Sequence, residues 1–208
     1  MAVQLKAERP EAGVSAPPQS EVLPQVPEER QLGFLFHQDN CIGCRACEAA
    51  CKQEFNLPVG LRRRRVVTQM EGTYPDVAQR FVSASCNHCA EPACVKACPV
   101  GALFKRPQDG IVLFDDEKCI ACQRCGAACP YGAPQYHPET GKVNKCTLCA
   151  HRLDQGLPPA CTITCMGLAL EHGTVAALDS LPRVKREVKG FADPALTQPS
   201  IRFIPARK

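Results

Sequence analysis

The sequence predicts a small α+β protein built from repeated units of short strand, cysteine loop and short helix. Three observations predict it. First, 16 of the 208 residues are cysteine, beside no Trp, 3 Tyr and 8 Phe. An aliphatic and aromatic core is thin for this length, so something else has to hold the centre. Second, the cysteines form four tetrads with none left over: Cys41, Cys44, Cys47, Cys51; Cys86, Cys89, Cys94, Cys98; Cys119, Cys122, Cys125, Cys129; and Cys146, Cys149, Cys161, Cys165. Third, a strand-like segment precedes each tetrad, at Gly33 to Phe36, Phe81 to Ser85, Ile111 to Phe114 and, more weakly, Lys142 to Asn144. A turn then follows three of them, at Pro99 to Leu103, Pro130 to Pro134 and Met166 to Leu170, each with a glycine expected to bring the chain back toward a strand.

An even cysteine count divisible by four suits disulfides, zinc or iron–sulfur clusters, and spacing separates them. Disulfide frameworks scatter cysteines through the loops of exported chains, whereas here neighbours stand two residues apart and no apolar stretch follows Met1 to Pro10. Structural zinc sites use two separate CxxC knuckles, but the first and third tetrads run CxxCxxC with a fourth cysteine four residues later. The run CxxCxxCxxxC followed by Pro is the bacterial ferredoxin pattern, in which three thiolates embrace one cubane and the fourth ligates its neighbour. Residues 119–130 match it. All sixteen cysteines are therefore candidate metal ligands and the expected cofactors are four 4Fe-4S clusters, which double as the core. Four thiolates close the coordination sphere of a cluster and suit one-electron transfer. Neither GxGxxG nor GxxxxGK[ST] occurs, so no nucleotide, nicotinamide or flavin site and no catalytic residue is expected.

The prolines order the units. Pro99 and Pro130 follow the last cysteines of the second and third tetrads, and only 20 residues separate Cys98 from Cys119. Residues 81–134 are accordingly expected to form an inner dicluster module, and residues 32–60 plus 135–175 an outer one. Residues 1–31, with five Pro, five Glu and no hydrophobic period, read as a disordered or partner-wrapped arm. Residues 61–80 read as an Arg-rich insertion and 176–208 as a C-terminal docking extension ending in a strand-like Ser200 to Ile204. The run Arg62, Arg63, Arg64, Arg65 lies in mid-chain without interleaved aromatics, so it reads as a solvated or partner-facing edge, not a nucleic-acid or export signal.

The formal charge of +4 becomes roughly −4 once each cubane contributes about −2, so basicity is no sign of nucleic acid. Arg45, Lys96, Lys118, Arg124 and Lys145 read as compensation for cluster charge. His88, between Cys86 and Cys89, is expected to tune a cluster by hydrogen bonding and not to ligate it. His37, His137, His151 and His172 read as surface or packing residues. No run of about 18 apolar residues exists, so no direct membrane span is expected.

Taken together, the second tetrad with Asn87-His88, the segment Asp109-Gly110-Ile111-Val112, the stretch Ala128-Cys129-Pro130-Tyr131-Gly132-Ala133-Pro134-Gln135-Tyr136, and Lys145-Cys146-Thr147-Leu148-Cys149 with its long gap to Cys161 resemble the iron–sulfur subunit of dimethyl-sulfoxide-reductase-type molybdoenzymes. The resemblance covers about residues 32 to 173. It implies two ferredoxin-like modules wiring a molybdopterin catalytic subunit to a membrane quinol-handling anchor subunit, with no substrate chemistry in this chain. It also implies membrane association through those partners, on a face the sequence does not mark. It further implies crossed ligation: Cys41, Cys44 and Cys47 with Cys165; Cys146, Cys149 and Cys161 with Cys51; Cys86, Cys89 and Cys94 with Cys129; Cys119, Cys122 and Cys125 with Cys98. Some relatives replace the second cysteine of the third tetrad and hold a three-iron cluster; Cys122 is present here. A polyferredoxin-like carrier, or the electron-transfer subunit of a hydrogenase or formate dehydrogenase, is the alternative reading.

Overall fold

Strand β1 (Leu32–His37) carries LGFLFH and is buried along its four central residues. That pattern suits a strand with neighbours on both edges and both faces. The chain supplies those neighbours from its far end: β8 (Leu170–Thr174) pairs antiparallel to one edge and β9 (Arg202–Ile204) parallel to the other. The computed structural model describes residues 23–207. The arm expected over 1–31 lies outside the described residues up to residue 22, but its end is folded. Gln31 is buried and its side-chain amide donates to the carbonyls of His88 and Gly110 at 3.2 Å each. The extension expected over 176–208 docks on the chain itself, because Ile201 and Phe203 have an apolar sheet to cover and are fully buried there.

Between β1 and β8 run the cysteine loops and their helices: α1 (Ala46–Glu54), α2 (Ala93–Lys96), α3 (Arg124–Ala128), α4 (Ala150–Leu153) and α5 (Ala160–Ile163). Two-stranded pieces separate them: the long hairpin β2 (Arg64–Thr73) with β3 (Asp76–Ser85), then β4 (Leu103–Lys105) with β5 (Val112–Phe114), and β6 (Gln135–Tyr136) with β7 (Val143–Asn144). A short helix α6 (Val175–Asp179) follows β8. Helix α1 of the first repeat packs on α5 of the fourth, and α2 of the second on α3 of the third. The second and third repeats share a small core of Cys94, Ala102, Leu103, Val112, Cys119, Cys125 and Val143. Four of these five helices have only four or five residues, well below the length at which a helix is stable alone in water. The cysteines on and beside them have to be anchored by something other than helix propensity.

Gly101 (φ 61°) and Gly132 (φ 59°) turn the chain back as expected, but in the fourth repeat Leu168 (φ 49°) takes the left-handed position. Gly167 is needed there for a different reason: a Cβ on it would lie 2.5 Å from the Asn40 carbonyl oxygen.

Candidate iron–sulfur centres

All sixteen cysteines are free thiols, which removes the disulfide reading. Each tetrad opens with the same backbone device. The residue two beyond the first cysteine adopts a left-handed conformation: Gly43 (φ 70°), His88 (45°), Ala121 (58°) and Leu148 (53°). That turn aims its N–H back at the sulfur. Ala121 N donates to Cys119 Sγ at 3.4 Å and Leu148 N to Cys146 Sγ at 3.3 Å, while the Gly43 and His88 amides do the same for Cys41 and Cys86. Left-handed backbone in a residue with a Cβ costs on the order of 1 kcal/mol and persists only where its surroundings enforce it. Three of the four positions carry one, which makes the amide-to-sulfur turn a feature held for use.

Burial raises the thiols of Cys41, Cys47, Cys51, Cys86, Cys89, Cys94, Cys125, Cys149 and Cys161 above their ordinary range, Cys89 and Cys149 to about 12. Neighbouring sulfurs raise them further, and these neighbours sort the thiols into four sets. Cys41 feels Cys47, Cys165 and Cys44. Cys51 feels Cys146 and Cys161, as does Cys149. Cys94 feels Cys86, Cys129 and Cys89. Cys125 feels Cys98, Cys119 and Cys122. Three thiols of each set come from one tetrad and the fourth from its partner, so Cys51, Cys98, Cys129 and Cys165 all cross over. Contacts between sets put them in a row. Cys47 of the first lies near Cys161 of the second, Cys146 of the second near Cys86 of the third, and the third and fourth share the core around Cys94 and Cys125. The second set is wholly buried and the third nearly so, whereas the first and fourth each surface at one thiol, Cys44 and Cys122. The adjoining Ile42 and Ile120 are 65% and 60% exposed.

Among the described residues no three His, Cys, Asp or Glu side chains stand close enough together for a single ion. A cube of four irons does not require that, because each thiolate binds its own iron. A second observation fits such a group. Several buried N–H groups find no oxygen or nitrogen acceptor: Nη1 of Arg63, Nε and Nη2 of Arg64, whose guanidinium reaches the Cys161 sulfur, and Nε2 of His88, whose Nδ1 already accepts from the Val112 amide at 3.1 Å. Buried donors without acceptors cost about 1–3 kcal/mol each, and inorganic sulfides would provide acceptors.

Here the sequence reading needs correction. Arg62 and Arg65 are exposed, but Arg63 is 9% and Arg64 1% exposed. Arg64 begins β2 on the same face as buried Val66, and its charge meets Cys161, Cys146, Cys47 and Cys51. The period-two spacing of Arg64 and Val66 is the signal that was present in the sequence. Of the five cations expected to offset cluster charge, only Lys145 is buried, near Cys86 and Cys94; Arg45, Lys96, Lys118 and Arg124 lie at the surface. Sequence reasoning also missed two hydroxyls that meet thiols, Ser83 at 3.8 Å from Cys47 Sγ and Thr197 beside Cys89. Both are distant in sequence from the cysteine they serve.

A family model described as a 4Fe-4S dicluster domain matches residues 77–175. The probable anaerobic dimethyl sulfoxide reductase chain YnfG of Escherichia coli strain K12 is 41% identical, over 74% of this chain and 83% of the relative. A second anaerobic dimethyl sulfoxide reductase chain of the same strain is 39% identical, with the same coverage. A sulfite dehydrogenase subunit of Allochromatium vinosum is 35% identical, over 86% of this chain and 84% of the relative. With this similarity along most of both chains, and with the cysteine loops described above, the chain belongs to the iron–sulfur electron-transfer subunits of the dimethyl-sulfoxide-reductase-type molybdoenzymes.

Proposed function

We propose that each of the four thiol sets holds one 4Fe-4S cluster and that electrons pass along the row between a molybdopterin catalytic subunit and a membrane quinol-handling subunit. The observation that carries this reading is the crossed grouping of the thiols, which gives four complete donor sets from four tetrads. A cluster closed by four thiolates supplies one-electron exchange. The chain's own residues hold the donors in place, exclude water from the middle of the row and leave Cys44 and Cys122 near the surface at its two ends. On this reading residues 32–60 plus 135–175 form the outer module and 81–134 the inner one, with the β2–β3 hairpin between them. The chain binds no substrate, and it meets the membrane only through its partner; among the described residues no helix is long and apolar enough to cross one. Relatives named for a sulfoxide and for sulfite share this subunit, which accords with substrate choice residing in the catalytic chain. Isolation of the native complex tests the assignment. Molybdenum or tungsten is expected to co-elute with this chain and a large catalytic subunit. Recovery of the chain alone, with neither metal, would contradict it.

A further inference from the structure

We propose that Arg64 is the common counter-ion of two clusters, the one held by Cys41, Cys44, Cys47 and Cys165 and the one held by Cys51, Cys146, Cys149 and Cys161, and that its fixed charge raises the reduction potential of both. The inference rests on the four-cluster reading above. Arg64 is 1% exposed, with its guanidinium carbon 4.3 Å from the Phe34 ring centroid. Its Nη1 donates to Ser83 Oγ at 2.9 Å, and Ser83 Oγ stands 3.8 Å from Cys47 Sγ, where its hydroxyl can donate to a thiolate. Its Nε and Nη2 find no oxygen or nitrogen acceptor, its remaining polar neighbour is the Cys161 sulfur, and among the described residues no carboxylate lies within ion-pairing distance of it. A buried guanidinium without a counter-charge is strongly disfavoured. Arginine keeps its proton even when buried, and the groups that stand near its charge are the sulfurs of Cys161, Cys146, Cys47 and Cys51. Cys47 belongs to the first set and the other three to the second, so a single cation stands between two centres that are anionic once clusters fill them.

The direction of the effect follows from charge. Reduction adds one electron to a cluster that is already negative, and a fixed positive charge close by favours the reduced form over the oxidised one. An arginine keeps its proton throughout the working pH range, so the bias is constant. Arg63 provides an internal contrast. It stacks on Phe55 at 3.9 Å and meets Cys146, Cys51 and Cys149, all in one set.

The test is a redox titration of the intact complex followed by electron paramagnetic resonance, with iron counted in every preparation. Arg64→Gln is expected to lower two midpoint potentials, each by about tenfold in the reduced-to-oxidised ratio or about 59 mV, and to leave the other two within about threefold. Arg63→Gln is expected to lower only one. Arg64→Lys, which keeps the charge and loses the guanidinium hydrogen bonds, is expected to stay within about threefold of wild type. A fully loaded Arg64→Gln complex with four unshifted potentials would overturn the inference. If Arg64→Gln loses iron, the lysine variant decides: a loaded complex with unshifted potentials supports the role of charge, and loss of iron there as well overturns it. A wild-type chain holding fewer than sixteen irons would be the failure of the four-cluster reading instead.

Discussion

Lys145 is fully buried, and its ammonium donates to the carbonyls of Val112 and of Cys146, the latter at 3.0 Å. It ties β5 to the fourth cysteine loop and brings a positive charge to Cys86 and Cys94. Lys145→Met leaves those two carbonyls without their donor, so a loss of about 2 kcal/mol in unfolding free energy is expected, measurable as a lower urea midpoint. The crossed ligands are testable residue by residue. Cys165→Ala is expected to disturb the cluster held by Cys41, Cys44 and Cys47 and to spare the one held by Cys146, Cys149 and Cys161, as read by resonance spectra and iron content. Loss of the latter cluster would show that the sets are not crossed. At this scale the four tetrads were legible, because the spacing of thiols is local information. The burial of Arg63 and Arg64 was not, since it depends on β2 lying against loops from the other end of the chain.

Among the elements, β9 carries the C-terminal segment into the centre. Arg202, 2% exposed, donates through Nε and Nη2 to Asp179 at the end of α6, and through Nη1 to the carbonyls of Pro199 and Ile201. The hydrogen bonds from Arg202 are the main cause holding the Asp179 carboxyl below its ordinary range. A carboxyl with a depressed folded-state pKa stabilises the fold above its unfolded value near 3.9, and that contribution fades as pH falls through the folded value. Asp179→Asn is therefore expected to cost about 2 kcal/mol at neutral pH, with the gap to wild type closing below about pH 3.5 in denaturant titrations. A gap that stays constant with pH would contradict the ion pair. Gly33 in β1 has no room for a side chain, since a Cβ there would stand 1.8 Å from the Ser200 carbonyl oxygen. Gly33→Ala is expected to cost about 3 kcal/mol, measured the same way. The strands were legible from short apolar runs ahead of the cysteines. The pairing of β9 with β1 was not, because Phe36 and its register partner Phe203 stand near opposite ends of the chain, and no periodicity encodes so distant a neighbour.

For the whole molecule, the short helices, the cysteines lodged in both hydrophobic clusters and the buried donors without oxygen or nitrogen acceptors all accord with the proposal that iron–sulfur clusters complete the core. Removing the iron anaerobically with a chelator is expected to abolish the cooperative unfolding transition and to raise susceptibility to proteolysis, because ligand binding and folding are one process in such proteins. An iron-free chain that still unfolds cooperatively would show that the core does not need the clusters. The repeat architecture was legible because each unit carries its own cysteines and turn, whereas the order of the four sets along the row emerges only from packing between units. Iron and acid-labile sulfide per chain in the anaerobically purified complex test the central claim most directly. About sixteen of each are expected, four irons for every set of four thiolates. Twelve or fewer of either, or zinc in place of iron, would contradict it.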